Sequence, residues 1–319
     1  FITLSLFIMM PLILCIYKWY SFCISGGAVC FRATVSTVWN SAVFSFNATF
    51  RQNSAKTGAA MAIFCVEKIK NENSTFLQNI ASNVGAGIYV TICKGFYTIQ
   101  CLFIQNQFGA VHIEQSHIQN NHKISDDLAN KYNGVKFISN IFINNTGRYG
   151  AAVHSTLGKI FQIHSCYGYN NHAIYNGGVF YVHYTDYAYI QKVSFNHNTA
   201  SLGVAMAFQL VSSLSISYSL FTQNIEHGGC IYLLSYEMKK RSVVTIYSSF
   251  FFSFHPANNT QAENGVVLTI LNVNSLVMKY NYFKISLVKS SPLRTVAEVK
   301  VKHVSMFRVN FRSIVSLVS

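Results

Sequence analysis

Residues 76–90 read FLQNIASNVGAGIYV, and the same skeleton returns as FRQNSAKTGAAMAIF at 50–64, FNHNTASLGVAMAF at 195–208 and FTQNIEHGGCIYL at 221–233. Self-similarity at a fixed period decides the architecture, so it has to be explained before any single residue.

Aligned on the glycine-containing element, the copies are GGAVCF (26–31), GAAMAI (58–63), GAGIYV (85–90), FGAVHI (108–113), GAAVHS (150–155), GGVFYV (177–182), GVAMAF (203–208), GGCIYL (228–233) and GVVLTI (265–270). Their fourth and sixth positions are mostly large and apolar and the fifth is mixed. That period of two marks a strand with one face buried. A second element, F-x-x-N, runs through Phe50/Asn53, Phe76/Asn79, Phe103/Asn106, Phe142/Asn145, Tyr167/Asn170, Phe195/Asn198 and Phe221/Asn224, with weaker copies at Phe252, Phe283 and Phe307. Well-formed neighbours are about 25 to 28 residues apart.

Strands at this period with no helical segment between them cannot build βαβ units. They can wind as a solenoid, each repeat closing one coil and pairing in parallel with its counterparts above and below. The expected fold is therefore all-β, a single-stranded parallel β-helix of about ten coils; at about 4.8 Å per coil the column is on the order of 48 Å long. A β-sandwich is the competitor, but it does not demand the same turn chemistry at a fixed period. In a solenoid the Phe fills the interior. The Asn sits at a turn, its amide bonding its own backbone and the Asn one coil away, so Asn53, Asn79, Asn106, Asn145, Asn170, Asn198 and Asn224 are expected to form a ladder. The small residues let the chain bend tightly.

Composition agrees with a packed β protein. Of 319 residues, 51% are apolar and 15% aromatic, which excludes a disordered chain, and only 3 are Pro, which suits hydrogen-bonded strands. The net charge is +14, from 24 basic and 10 acidic residues. The basic residues are scattered except at Lys239-Lys240-Arg241 and from Lys279 to Arg312. That pattern fits a solvated surface or an anionic glycan or lipid partner. No zinc finger, basic helix or other nucleic-acid module is present, so no nucleic acid is expected. The 8 Cys show no metal-ligand spacing and read as small buried residues, or as disulfides if the chain is secreted, with Cys65 and Cys93 the best pair.

Residues 1–17 carry no charge. With the flanking residues to 24 they are expected to be a signal peptide or a membrane anchor, truncated because the chain starts at Phe1; the alternative is strands of an earlier coil. The β-helix is expected over 25–319, with an irregular insertion at about 114–136 and a second expansion around 235–242. Loops bulging from one edge of a solenoid are where function often sits.

The paired G-G-A-[ILV] and F-x-x-N elements resemble the repeats of the chlamydial polymorphic membrane proteins, also found in surface proteins of some protists. The resemblance covers about residues 26–270. It implies a right-handed parallel β-helix of the pectin-lyase-like type, displayed at a cell surface, with adhesion or antigenic display as its role. The chlamydial proteins end in a translocating β-barrel; no such segment is evident in these residues, so their secretion route is not carried over.

Many β-helices act on acidic polysaccharides, so a carbohydrate-active enzyme is the rival reading. Such catalysis needs clustered carboxylates, as acid and base or as calcium ligands. This chain has Asp126, Asp127 and Asp186 and seven dispersed Glu, and no acidic residue recurs at one coil position. No catalytic residue, metal or cofactor is therefore expected. His112 and His154 share an outward position, with His117, His122, His164 and His172 nearby; without matching carboxylates or Cys they read as surface decoration rather than a metal site. The outward stripe Tyr89, His112, His154, Tyr181 and Tyr232 is the candidate binding surface, with ordinary cross-strand stabilisation as the competing explanation. The expected partner is a surface protein or glycan of a host or neighbouring cell. N-glycosylation sequons at Asn47, Asn73, Asn144 and Asn258 permit secretion without arguing for it.

Overall fold

In the computed structural model, the described residues are 27–32, 42–114, 134–222, 224, 229–235, 242–255, 268–288 and 297–316. The expected leader at 1–24, Lys239-Lys240-Arg241, Asp126-Asp127, His117, His122, Asn258 and most of the 114–136 insertion lie outside them.

The chain winds as a parallel β-solenoid. Every strand pairing is parallel, and each partner comes from the turn before or after. One side is a 13-stranded sheet whose typical unit is a 12-residue strand, such as Met61–Glu72, Ile88–Ile99, Phe180–Gln191 and Met206–Ser217. The second side is a 10-stranded sheet of mostly three-residue strands carrying the F of F-x-x-N, including Thr75–Leu77, Leu102–Ile104 and Ile141–Ile143. A third side consists of short ladders: Ser54–Thr57 with Ile80–Val84, and Thr146–Tyr149 with His172–Asn176. About seven turns form the solenoid, fewer than the roughly ten expected. The second sheet does carry ten rungs, but beyond Asn224 the third side falls on residues outside the described set.

Single left-handed residues make the corners. Asn73, Gln100, Ser139, Ser165, Lys192, Tyr218, Ser248 and Tyr280 stand between the long and the short strand; Gln52, Gln78, Gln105, Asn144, Asn170 and His197 follow the short strand. A glycine such as Gly85, Gly150 or Gly177 makes the third corner. A fourth kinks the long strand after its fourth residue, at Cys65, Ile92, Tyr184, Leu210 and Asn272. At Gly177 (φ 68°) a Cβ would collide with the backbone of Phe180, so only glycine closes that corner without strain. The described strands flanking 33–41, 115–133 and 236–241 pair with the two halves of one kinked long strand: Arg32 with Phe64 and Ala42 with Lys68, Glu114 with Thr91 and Gly134 with Gly95, Leu234 with Gln209 and Val243 with Ser213. Insertion there leaves the pairing on either side intact. Of the sequons, Asn47, Asn73 and Asn144 are all left-handed corner residues.

The interior is a set of vertical stacks. Phe50, Phe76, Phe103 and Phe142 lie face to face with centroids 4.8–5.1 Å apart, as do Phe221, Phe251 and Phe283 at 4.9 and 4.7 Å. Each fully buried Phe contributes about 1.5–3 kcal/mol relative to exposure. The fourth and sixth positions of the glycine element, from Met61/Ile63 to Leu268/Ile270, are buried throughout.

Register corrects two sequence assignments. Phe142 pairs with Gly168, not Tyr167, and Gly168 with Phe195. The ladder residue of that turn is consequently Asn171; Asn170 is the exposed corner before it, donating to Asn144 at 2.8 Å. Toward the C-terminal end the register pairs Phe221 with Phe251, Phe251 with Phe283 and Phe283 with Phe311, so Phe252 and Phe307 are not at the repeat position.

Asn53, Asn79, Asn106, Asn145, Asn171, Asn198 and Asn224 form one continuous ladder. Each Oδ1 accepts the backbone N–H and the Nδ2 of the Asn one turn earlier, at 2.8–3.2 Å. The remaining Nδ2 hydrogen goes to a carbonyl of the second sheet, as from Asn106 to Phe76 at 3.0 Å. The buried amides are thus saturated, which is what allows a polar column inside the solenoid. The bonds run between turns rather than to the residue's own backbone, and the bend belongs to the residue before the Asn.

Candidate functional site: a recessed aromatic furrow and a basic sheet face

The residues of the expected stripe do stack in one column. Tyr89 pairs with His112, His112 with His154, His154 with Tyr181, Tyr181 with Ala207 and Ala207 with Tyr232. They point away from the main core, as period two requires, but they are not a free surface. His112, Tyr181 and Tyr232 are only 5%, 7% and 9% exposed. Tyr149 and Leu202, just before glycine corners, and Leu234 and Leu271, at the fourth position of their strands, pack against them. Tyr149 lies 5.9 Å from His154 and 5.2 Å from Tyr181, Tyr175 stacks on Tyr149 at 5.0 Å, and Leu202, Leu234 and Leu271 pack on Tyr181, Ala207 and Tyr232. The stripe is therefore the floor of a furrow and part of a small second core.

Within the furrow, Tyr89 stacks on His112 at 5.5 Å and His112 meets His154 edge-on at 4.5 Å. His112 Nε2 lies 2.8 Å from Glu114 Oε1, and Tyr89 donates its hydroxyl to Glu114 Oε2 at 3.4 Å. The His112 contact is the main cause that holds Glu114 below the usual carboxylate range. Burial, then the Glu114 charge, pushes the Tyr89 phenol up to about 12. Burial among the rings, reinforced by His112 and His183, drives His154 well below the ordinary imidazole value. A cavity of about 160 Å³ opens here, lined by Asn83, Val84, Phe108, Gly109, Val111, His112, Arg148, Tyr149 and His154.

The surface that is presented lies on the distal half of the long strands. Lys70, Tyr97, Lys136, Gln162 and Tyr189 occupy five consecutive rungs of one column, about 19 Å from end to end at the strand spacing. The Tyr97 ring is flanked by Lys68 Nζ at 5.7 Å and Lys136 Nζ at 5.8 Å, both at cation–π distance. Tyr187 and Tyr189, 44% and 43% exposed, lie parallel at 6.4 Å. Sequence reading missed this face because it aligned the glycine element alone. The signal was there in the alternation KIKNE, FYTI, VKFI and YAYIQ one half-strand later.

Among the described residues the carboxylates do not gather. Glu67 pairs with Lys94 at 3.6 Å, Glu72 with Lys70 and Glu114 with His112. Among the described residues no three His, Cys, Asp or Glu come together to hold a metal ion. Cys65 sits at a corner while Cys93 faces the core one rung above Val66, and neither is in a disulfide. The expected pairing of these two is thereby corrected: they lie on opposite sides of the kink. Cys30 is disulfide-bonded. Cys101 and Cys166 belong to a buried column with Ser74, Asn140, Val193, Ser219, Ser249 and Asn281, two residues before the Phe of the second sheet or, for Cys166, before Gly168 in its place.

No family model, no curated protein and no solved structure matches this chain.

Proposed function

We propose that this chain is a non-enzymatic, secreted or surface-anchored β-helix that presents an adhesive or antigenic face to a protein or glycan of another cell. In this reading the winding is right-handed and the repeats are of the type found in the chlamydial polymorphic membrane proteins. The observation that carries it is the column Lys70–Tyr97–Lys136–Gln162–Tyr189, where aromatic and cationic groups repeat at the rung spacing on a flat sheet face. Rigid rings held by a sheet lose little entropy when a sugar ring or a flat peptide stacks on them, and the lysines favour an acidic partner. The dispersed carboxylates support display rather than polysaccharide cleavage.

Beads coated with the full chain should adhere to cells in a saturable, salt-sensitive way. Lys68→Ala/Tyr97→Ala/Lys136→Ala should reduce adhesion at least about tenfold, the combined loss of an aromatic contact and two charges. Equal adhesion by the triple variant would remove this face from the function, and antibody labelling confined to permeabilised source cells would end the surface reading.

A further inference from the structure

The outer face of the second sheet departs from the pattern of the first. Its three-residue strands bury the middle residue and turn the other two outward. On the first sheet, the outward column through Lys70, Lys136 and Gln162 continues with Ser215 and Thr245. On the second, Leu102/Ile104, Ile141/Ile143 and Tyr167/Tyr169 point outward on three consecutive rungs. Tyr169 is 37% exposed, and Leu220, two strands further on, is 39% exposed. The Tyr167 and Tyr169 rings lie parallel with centroids 6.4 Å apart. A sheet face left to water is ordinarily polar, and a contiguous apolar one marks a contact.

Charge and shape narrow the kind of contact. Seven consecutive strands of this sheet, from Thr75–Leu77 to Phe250–His255, contain no Asp, Glu, Lys or Arg, in a chain of net charge +14. The corners that follow them carry the amides of Gln78, Gln105, Asn144 and Asn170; among the described corner residues on either flank only Lys192 has a fixed charge. An acidic partner finds no cation on this face to pair with. A second copy meets no opposed like charge, which its basic composition would otherwise impose. The rungs repeat at about 4.8 Å, so a second copy brings a corrugation of the same period, and ridges seat in grooves along the whole run. With strand and corners about 16 Å wide, seven rungs project on the order of 500 Å². The pair then covers about 1,000 Å², the size at which specific interfaces begin.

We propose that two copies of this chain pair through the outer faces of their second sheets, related by a two-fold axis, with the aliphatic and tyrosine rungs at the centre and the corner amides at the rim. The pairing goes beyond the display reading and does not depend on it. The Lys70–Tyr189 column belongs to the first sheet and lies outside the contact, so the pair carries two such columns and gains avidity for a partner that repeats on a surface.

The test is sedimentation equilibrium of the full chain over a micromolar concentration series, where the mass should reach twice that of one chain and go no higher. Ile104→Lys/Ile141→Lys brings four cations into the contact and should raise the dissociation constant at least about 100-fold. Tyr169→Lys alone should raise it about tenfold. Ile174→Lys, 52% exposed on the third side, should leave it unchanged. Hydroxyl-radical footprinting of the parent supplies a readout that needs no variant to fold: Tyr167, Tyr169 and Leu220 should be shielded in the dimer and become reactive on dilution. A monomer at every concentration overturns the proposal, whether the face is then bare, shielded by the chain itself, or able to bind an uncharged polysaccharide such as microcrystalline cellulose. A dimer indifferent to both face variants overturns it as well, as do open-ended assemblies that break up in Val304→Lys/Met306→Lys, which would place the contact at the end strands. Adhesion lost in a chain that still dimerises counts against the display reading alone.

Discussion

Asn106 shows how a buried polar residue becomes a structural necessity. Its side chain accepts two hydrogen bonds from Asn79 and donates to Asn145 and to the Phe76 carbonyl. Asn106→Ala removes four hydrogen bonds at once; Asn145 Oδ1 keeps the Asn106 N–H, but the Asn79 N–H and one Asn79 Nδ2 hydrogen lose their acceptor, and each unsatisfied buried group costs about 1–3 kcal/mol. The expected loss is about 3 kcal/mol or more, measured as a shift of the urea midpoint. Asn170→Ala, one residue off the ladder, should cost less than about 1 kcal/mol, and similar losses for the two variants would refute the assignment of Asn171. His154 gives a pH signature. Its folded value lies well below the ordinary 6.5, so as pH falls below 6.5 the unfolded chain binds a proton that the folded chain refuses. Stability therefore drops between pH 7.5 and 5.5. His183, also depressed by burial, contributes with the same sign. Glu114 has the opposite history: its folded value is lowered, so its contribution is present above the carboxylate range and is lost only at more acid pH. Thermal midpoints of His154→Phe across that window should show a flatter slope than the parent.

At the level of strands, the turn containing Gly168 shows how a gap in one stack is filled from another. Gly168 takes the place of a phenylalanine between Phe142 and Phe195. Phe180 stands where other turns have Val153, Met206 or Ile231, and its ring reaches across to Phe142 and Phe195 at 5.4 Å from each. A Cβ on Gly168 would come within 2.9 Å of the Phe195 ring and 3.0 Å of Val179, so the site is already full. Phe180→Val should cost roughly 2–3 kcal/mol through the cavity left behind, and Gly168→Phe alone should overpack. Because both act on one space, the double variant should be more stable than the sum of the singles by at least about 1 kcal/mol. Strict additivity in denaturant titrations would contradict the filling argument. This exchange also explains why Tyr167/Asn170 reads as a good repeat: the aromatic moved to another strand, and Asn170-Asn171 offers two amides from which to choose. The small buried residue two places before each Phe, Cys166 in this turn and Cys101 or Ser219 elsewhere, would have set the register.

For the whole molecule, the parallel register makes turns nearly interchangeable, since each contacts only its neighbours. Removing residues 85–108 joins Val84 to Gly109, an equivalent corner one turn on. Phe76 would then stack on Phe142 and Asn79 on Asn145. The shortened chain should fold cooperatively, with unchanged β content per residue and a longest dimension reduced by about 4.8 Å in small-angle scattering. A molten product would show that the turns are not independent units. The described strands on either side of 33–41, 115–133 and 236–241 pair in register with the two halves of a kinked long strand, so the ladder resumes across each of these segments.

The amino-acid sequence by itself determined the parallel solenoid, the apolar stacks, the buried face of each glycine element and six of the seven ladder amides. Stacking in register copies each position into every turn, so a rule obeyed many times over is visible without coordinates. Only the tertiary structure decided which outward positions meet solvent. Tyr89, His112, His154, Tyr181 and Tyr232 obey the strand period, yet the left-handed glycine corner brings Tyr149, Tyr175 and Leu202 back over them. Tyr149 covers His154 across its own corner and Tyr181 in the next turn, and alternation along one strand carries no trace of such a cover.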